Sequence, residues 1–300
     1  MQLPVFRASA GLNTRVPDSR LRLGGDTGVC DLAEAVNVVH DETGRLSKRR
    51  GYTLVSSGDH HSLFSCGEVA YVVKNGSLYS VNSLGIYSGI RADVGSTRMS
   101  YVGLGKEVYY ANSVINGVIR EGRSYAWPVG TYSGPDTYRT FSQAPVGSLL
   151  AYFAGRMIVA KDNVLWFSEP WSPGLFDLAS GFIQFNSDIL MVKHIRTGIF
   201  ISDTESTWFL EGTDFREFSQ RKVAEFPALE GSVLQKDLMG YDIGLETGDL
   251  CALWVSSYGL IAGLPDGSII KLNDSKVQYP KFGRRGSSVA VGKNIYHHLF

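Results

Sequence analysis

Short apolar runs separated by polar turns recur along most of this chain. In the clearest case an apolar run at Met157 to Val159 meets a turn at Lys161 to Asn163 and resumes as Val164 to Phe167. Two short apolar runs around a tight polar turn predict an antiparallel hairpin. Pro170 and Pro173 follow it and predict that the chain leaves the sheet there, because proline supplies no ladder donor.

The same design occurs before and after this hairpin. It predicts strand pairs at Glu68 to Val73 with Ser77 to Val81, Lys106 to Ala111 with Val118 to Arg120, Gly198 to Ser202 with Thr207 to Leu210, and Gly259 to Gly263 with Ser268 to Leu272. The first pair is joined by Asn75-Gly76, a step that is typical of a type I′ turn. A last apolar run over residues 288–300 predicts one further pair.

The spacing of these pairs indicates a repeat. The return strands at Tyr79, Ile119, Trp166, Trp208 and Ile270 are about 40, 47, 42 and 62 residues apart, close to the period of four-stranded propeller blades. The long last interval contains residues 216–240, which could add strands, a short helix or an insertion. We therefore predict an all-β fold, a β-propeller of about five to seven small antiparallel blades; a β-sandwich with additional segments is the alternative.

The chain is predicted to have two parts. Glycine and proline interrupt any period in residues 1–45, where only Cys30 to Val39 could form a helical turn, so this part is predicted to be an irregular arm that becomes ordered on assembly. Residues 46–300 are predicted to form the propeller. Open sheet edges favour a closed ring, so we expect a strand near Tyr52 to Val55 to pair with the C-terminal strands over Val289 to Leu299.

Composition excludes several function classes. The 300 residues contain 29 basic and 29 acidic side chains, which argues against unspecific attraction to nucleic acid or to an anionic membrane. The three cysteines lack CxxC spacing, so neither a disulfide framework nor a zinc site is indicated, and a reducing compartment is expected. No apolar run approaches the ~18 residues of a membrane span, so no membrane partner is predicted.

Candidate chemistry is sparse. His60-His61 and His297-His298 are adjacent pairs, and neighbours on a strand point to opposite faces, so neither pair is predicted to hold a metal. No nucleophile-elbow, zinc-protease or phosphate-loop motif is present. We predict no catalytic residue, no cofactor and no metal.

Carboxylates are the strongest enzyme candidates, because propeller glycosidases use acids from different blades. Such acids could be Asp162, Glu169, Asp177, Asp203 and Glu211. Each, however, lies at a turn or strand end, where an acid is expected for structural reasons. The segment from Asp203 to Trp208 partly resembles the Asp box of sialidase propellers, which is a structural turn, although Glu205 replaces its glycine and Ile201 replaces its leading serine.

The N-terminal region carries a distinctive pattern. It contains Gly11, then Asn37, an acidic turn at Asp41 to Gly44, and the run Leu46-Ser47-Lys48-Arg49. This pattern resembles the opening of the tail-tip nozzle and tail-hub proteins of short-tailed bacteriophages, where it precedes a β-propeller. The run from Val164 to Phe176 also resembles a segment of those propellers. The chain is much shorter than the nozzle proteins, and Arg50-Gly51 stands where they often have proline.

The resemblance implies a structural component of a bacteriophage tail, a hub, nozzle or adaptor-proximal protein without enzyme activity. It implies a homo-oligomeric ring around the DNA exit channel, assembled in the host cytoplasm and located in the virion. Expected partners are the portal adaptor, tail fibres or other tail proteins, and genomic DNA that passes without tight binding. Candidate interface residues are Asn37, Leu46, Lys48, Arg49, Arg50 and Trp171. The alternatives are a carbohydrate-binding or glycoside-hydrolysing propeller and a host protein-interaction scaffold.

Overall fold

The computed structural model describes residues 7–24, 27–41, 43–51, 53–135, 138–239, 248–273, 276–277, 285–292 and 294–300. Within these ranges the chain forms β-strands and one 3₁₀ turn at Asp18–Arg20. Five antiparallel sheets of four or five strands follow one another along the chain and make a five-bladed β-propeller. The predicted all-β propeller is thus confirmed. No described helix has the length and hydropathy needed to cross a membrane.

The strands are numbered in chain order. The N-terminal region contains β1 (Ala8–Leu12), β2 (Leu23–Gly24), β3 (Val29–Leu32), β4 (Val38–His40) and β5 (Leu46–Lys48). Blade 1 contains β6 (His60–Cys66), β7 (Val69–Lys74), β8 (Ser77–Val81) and β9 (Tyr87–Arg91). Blade 2 contains β10 (Ser100–Leu104), β11 (Glu107–Ala111), β12 (Asn116–Arg120) and β13 (Arg123–Tyr125).

The remaining blades follow the same order. Blade 3 contains β14 (Leu149–Phe153), β15 (Arg156–Lys161), β16 (Val164–Glu169), β17 (Ser172–Phe176) and β18 (Phe182–Gln184). Blade 4 contains β19 (Ile189–Ile195), β20 (Gly198–Asp203), β21 (Thr207–Glu211) and β22 (Ser219–Ala224). Blade 5 contains β23 (Leu234–Asp237), β24 (Leu250–Ser256), β25 (Gly259–Gly263) and β26 (Ile269–Lys271). A C-terminal hairpin is formed by β27 (Gly286–Val291) and β28 (Asn294–Leu299).

The predicted strand pairs are present, but the last one occupies a different place in its blade. In blades 1 to 4 the predicted pair forms the second and third strands, whereas the pair around Ile270 forms the third and fourth strands of blade 5. The third strand of blade 5 carries Ile261, opposite Trp254 on β24. Counted from Trp208 to Ile261, the last interval is about 53 residues and thus shorter than predicted. Residues 216–240 add the strands β22 and β23.

Local turn chemistry explains the first hairpin. Asn75 and Gly76 have φ angles of 48° and 74°, the two positive values that a type I′ turn requires. The turn between β11 and β12 is shorter than the predicted strand limits imply, because Asn116 and Gly117 already belong to β12 and the chain turns between Asn112 and Ile115. A side chain at Gly117 would overlap the hydroxyl of Tyr110, so this glycine is required by close packing.

The chain does not leave the sheet after β16, contrary to the prediction. It turns at Pro170-Trp171 and returns as β17, which pairs Ser168 with Phe176 and Glu169 with Ser172 across a bulge. β18 pairs with the earlier part of β16. Pro173 is accommodated because β17 lies at the edge of its sheet, where a missing amide donor breaks no ladder.

Hydrophobic cores lie between neighbouring blades. On β20, Ile199 and Ile201 pack toward blade 3 and Phe200 packs toward blade 5. All three side chains are fully buried. A strand that is buried on both faces has a continuous run of apolar residues. Full burial of each such side chain stabilises the folded state by about 2 kcal/mol. Stacking of one blade on the next therefore supplies most of the core.

The ring does not close through the predicted strand pair. Residues 53–57 form no strand, and Tyr52 lies outside the described residues. Among the described strands, β27 and β28 pair only with each other. The reason is that this hairpin packs on blade 5 through its face: Ile295 contacts the core around Leu234, and Ser288 Oγ donates to Ser232 O at 2.5 Å.

Side-chain hydrogen bonds connect the two ends of the ring instead. Arg98, in the connection between β9 and β10, donates from Nη1 to Gly286 O at 2.8 Å and from Nη2 to Gly231 O at 3.1 Å. Beside it, Glu230 and Arg285 form an isolated parallel bridge. Gly231 has a φ of 76°, and a Cβ at this position would overlap the guanidinium of Arg98.

The N-terminal region is more regular than predicted. β1 pairs in parallel with β3, which also pairs with β2, and β4 pairs with β5. Cys30 to Val39, the segment that could have formed a helical turn, contains no helix: residues 30–32 belong to β3 and residues 38–39 to β4. The boundary predicted between residues 45 and 46 falls inside the β4–β5 hairpin. Ordering of this region on assembly stays a prediction.

Candidate functional site

Five of the six candidate interface residues lie on the β4–β5 hairpin. Asn37 stands just before β4 with a φ of 58° and accepts a hydrogen bond from the amide of Arg49 at 3.0 Å. Lys48 and Arg50 are exposed, and Leu46 and Arg49 are half-buried. The hairpin thus gathers the residues of the N-terminal pattern on a surface outside the five blades.

The acidic turn of the hairpin is held by one carboxylate. Asp41 Oδ1 accepts hydrogen bonds from the hydroxyl and the amide of Thr43, at 2.7 and 2.9 Å, and from the amide of Arg45 at 3.0 Å. The bonds from the Thr43 side chain and the Arg45 backbone lower the pKa of Asp41. The turn is therefore preformed by the sequence Asp-x-Thr-x-Arg.

The hairpin is anchored to β1 by two hydrogen bonds. His40 Nε2 donates to Ser9 O at 2.9 Å, and the amide of Ser9 donates to Gly44 O at 2.7 Å. Gly44 has a φ of 81°, and a Cβ there would lie 2.8 Å from both Ala8 Cβ and Ser9 O. Lys276 Nζ donates to Ala10 O at 2.6 Å, which ties β1 to the segment that follows blade 5.

Trp171, the sixth candidate residue, lies in blade 3. It occupies the tight connection between β16 and β17 with a φ of 58°, and 79% of its surface is exposed. Its amide donates to Gly155 O at 2.7 Å. Its ring covers Gly155, whose added Cβ would lie 3.0 Å from the ring. A rigidly held, exposed indole is suited to contact another molecule.

Two of the candidate carboxylates are paired with one arginine. Arg139 donates to Glu169 at 2.5 Å and to Asp177 at 3.1 Å, and its guanidinium lies 4.7 Å from the centre of the Phe141 ring. Although burial opposes the charged form, hydrogen bonds from Ser180 and Arg139 lower the pKa of Asp177. Both acids thus serve an ion-pair network, and the lowered pKa of Asp177 is the opposite of what a general acid needs.

Asp203 forms a structural turn. Its Oδ1 accepts from the amides of Glu205 and Ser206 at 2.9 and 2.7 Å, and its Oδ2 accepts from Trp208 Nε1 at 2.9 Å. The side chain is buried, with 1% of the residue exposed. Asp162 lies in the β15–β16 turn and Glu211 ends β21. The five acids therefore occupy turns and strand ends, and Glu169, Asp177 and Asp203 bind neighbouring groups there.

A cavity between the blades was missed by sequence reasoning. The central cavity has a volume of about 310 Å³ and is lined by the first strands of blades 1 to 4, through Phe64, Tyr101, Val102, Gly103, Leu150, Ala151, Tyr152, Val192, Lys193 and His194. A second cavity of about 440 Å³ shares Tyr152 and His194 and extends to Gln235 and Arg196. The sequence feature that could have indicated this cavity is the pair of polar residues Lys193-His194 inside the otherwise apolar strand ILMVKHI.

Burial shapes the ionisation of the central cavity. It lowers the pKa of Lys193, and together with the nearby Lys193 charge it lowers the pKa of His194 to about 4. His194 is therefore neutral at pH 7, and its ring lies 6.0 Å from that of Phe153. Gln235 Nε2 donates to the backbone carbonyl of His194 at 3.0 Å, which fixes this part of β19.

Histidine pairs show no metal-binding arrangement. Within the described ranges, no three His, Cys, Asp or Glu side chains are grouped so that they could hold a metal ion. His297 instead bonds through Nδ1 to Ser288 Oγ at 2.6 Å. Cys30, Cys66 and Cys251, all within the described ranges, form no disulfide. Burial together with Asp237 and Asp249 raises the pKa of Cys251 to about 11, so its thiol is unreactive.

Comparison with known proteins identifies the fold alone. No protein-family model and no curated protein matches the sequence. The extracellular domain of the hybrid two component system BT4673 from B. thetaiotaomicron aligns with a TM-score of 0.50 at 12% identity, over 89% of this chain and 37% of that one. The Neurospora crassa Pan2 WD40 domain gives 0.48 at 14% identity, over 80% and 74% of the two chains. The N-terminal domain of Nup159 gives 0.49 at 10% identity, over 80% and 72%.

Proposed function

We propose that this chain is a non-enzymatic structural protein that forms a homo-oligomeric ring in a bacteriophage tail. The observation that carries the proposal is the β4–β5 hairpin, on which Asn37, Leu46, Lys48, Arg49 and Arg50 lie together outside the blades. These residues belong to the pattern that resembles tail-hub and nozzle proteins. The hairpin of two three-residue strands is held on its own chain by two hydrogen bonds to β1, and contact with a neighbouring subunit would stabilise so short a hairpin further.

The C-terminal hairpin offers a second contact surface. Val289, Val291 and Tyr296 lie on the face of β27–β28 that points away from blade 5, and they are 51%, 60% and 39% exposed. Apolar side chains grouped on one exposed face favour protein contacts. The genome channel of the ring would lie between copies, because the propeller's own cavity of about 310 Å³ is too small for a duplex.

Light scattering and negative-stain electron microscopy of the purified chain test this function. We expect a closed ring, and we expect Lys48→Glu combined with Arg50→Glu to shift the protein toward monomers. Lys161→Glu combined with Arg123→Glu, at exposed positions in blades 3 and 2, is the charge-matched control. Glu169→Gln should leave the ring intact, because its carboxylate pairs with Arg139 within the same chain. A chain that stays monomeric at every concentration, or that hydrolyses glycosides in a Glu169-dependent way, would refute the proposal.

A further inference from the structure

The central cavity is lined by a lysine for which the described residues supply no partner. Lys193 lies on β19, the first strand of blade 4, and no described residue forms a hydrogen bond or ion pair with its ammonium group; burial is the sole influence on its pKa. Lys193 is only partly buried, so its ammonium group keeps some contact with water while the described residues that line the cavity give it no acidic partner. A fold that keeps such a group in a cavity is therefore suited to accept an anion there.

The other groups around the cavity do not neutralise this charge. No aspartate or glutamate is among the lining residues that the structure describes. In the adjoining cavity, Asp249 is bonded through both oxygens to Arg196, at 3.0 and 3.1 Å. His194 is neutral at pH 7 because its pKa is lowered to about 4, so its ring can donate a hydrogen bond without adding a second cation.

The remaining lining selects the kind of anion. Phe64, Tyr101, Leu150, Tyr152 and Val192 present aromatic rings and aliphatic carbons to the cavity. One ammonium group beside an apolar wall matches a ligand with one negative charge and an apolar body. A doubly charged inorganic phosphate fits poorly, because Lys193 is the single cation among the described residues that line the cavity. The volume of about 310 Å³ lies at the lower end of the range for small-molecule sites.

We propose that the central cavity is a binding site for a small organic monocarboxylate. The carboxylate pairs with the ammonium of Lys193, the ring of His194 donates a hydrogen bond to it, and the apolar body packs on Phe64 and Tyr152. This site is independent of ring assembly, since it lies between the blades of one chain.

Calorimetric titration of the full chain with benzoate tests the site. We expect saturable binding of one benzoate per chain, with benzamide, which has the same ring without the charge, and inorganic phosphate each binding at least about tenfold more weakly. Lys193→Met should weaken benzoate binding by at least about tenfold. Lys161→Met, which removes an exposed lysine from blade 3, should leave it unchanged.

Lys193→Met removes the charge of a partly buried side chain and keeps an apolar stem, so the melting temperature of the variant should not fall. If the Lys193→Met variant does not fold, the affinities of the unaltered chain for benzoate and benzamide decide whether the site binds a carboxylate. Magnetisation transfer from aromatic protons of the protein to bound benzoate supplements this comparison. The proposal is overturned by equal affinity for benzoate and benzamide, by unchanged benzoate affinity in a folded Lys193→Met variant, or by the absence of saturable benzoate binding.

Discussion

Arg98 donates a hydrogen bond from Nη1 to the backbone carbonyl of Gly286 at 2.8 Å, across 188 residues of sequence. Its Nη2 reaches Gly231 O at 3.1 Å. One guanidinium thus joins the connection between blades 1 and 2, the entry to blade 5 and the C-terminal hairpin. Because burial lowers the pKa of Arg98, its two carbonyl contacts compensate for the lost hydration.

Removal of this contact should loosen the closure of the ring. We expect Arg98→Met to lower the free energy of unfolding by about 2 kcal/mol, since two charged hydrogen bonds to carbonyls are lost. Urea denaturation measures this change, and hydrogen exchange should become faster at residues 286–291. Arg123→Met, at an exposed position on β13, serves as the control. Unchanged exchange in the C-terminal hairpin would contradict the assigned role.

Gly44 should be required for docking of the β4–β5 hairpin on β1. Gly44→Ala would place a Cβ 2.8 Å from Ser9 O at a φ of 81°, so we expect faster proteolysis and hydrogen exchange of residues 38–48. Gly122 is a matched control with a φ of 76° and no heavy atom within 4 Å of an added Cβ. Gly122→Ala should show only the backbone cost of about 1 kcal/mol. Equal effects of both variants on residues 38–48 would rule out the steric explanation.

Asp203 should matter for stability. Asp203→Ala removes the acceptor of two amides and of Trp208 Nε1, and we expect a loss of about 3 kcal/mol in urea denaturation. Asp188→Ala changes an exposed acid of the same blade and should stay within about 0.5 kcal/mol of the parent chain. Trp208→Phe tests the indole bond, and its effect should be largely absent when Asp203 is already replaced.

Stability should fall in mild acid because of His194. Its pKa in the folded chain is about 4, whereas an unfolded histidine titrates near pH 6.5. Below about pH 6.5 this histidine binds a proton in the unfolded state but not in the folded state. The stability that is present above about pH 6.5 is therefore lost as the pH falls toward about 4. After allowance for partial solvation, we expect a loss on the order of 2 kcal/mol.

Melting temperatures between pH 7 and pH 4.5, roughly spanning this titration, measure the effect. His194→Gln should flatten the profile, and His298→Gln, at an exposed position of the C-terminal hairpin, should not. His61 and His297 also have pKa values lowered by burial, so a smaller slope should remain. An identical acid profile in the His194→Gln variant would assign the effect to other groups.

Local patterns predicted the hairpins well, because a hairpin depends on side-chain alternation and on the turn between its strands. Asn75 and Gly76 adopt the two positive φ angles that their types favour. Prediction failed where the structure of a segment depends on residues that are distant in sequence but close in space. Pro173 suggested an exit from the sheet, but the edge position of β17 tolerates it, and the repeat around Ile270 was assigned to the wrong strands of its blade.

By itself, the sequence determined the all-β class, the approximate repeat and the turn role of Asp203, because each depends on residues a few positions apart. Only the tertiary structure decided the number of blades, the contact of Arg98 with Gly286 and the position of Lys193 beside the residues of other blades. Those relationships join segments tens to hundreds of residues apart. They arise from the way the blades stack and from where backbone carbonyls lie in the folded chain. The periodic spacing of apolar residues does not specify either of these.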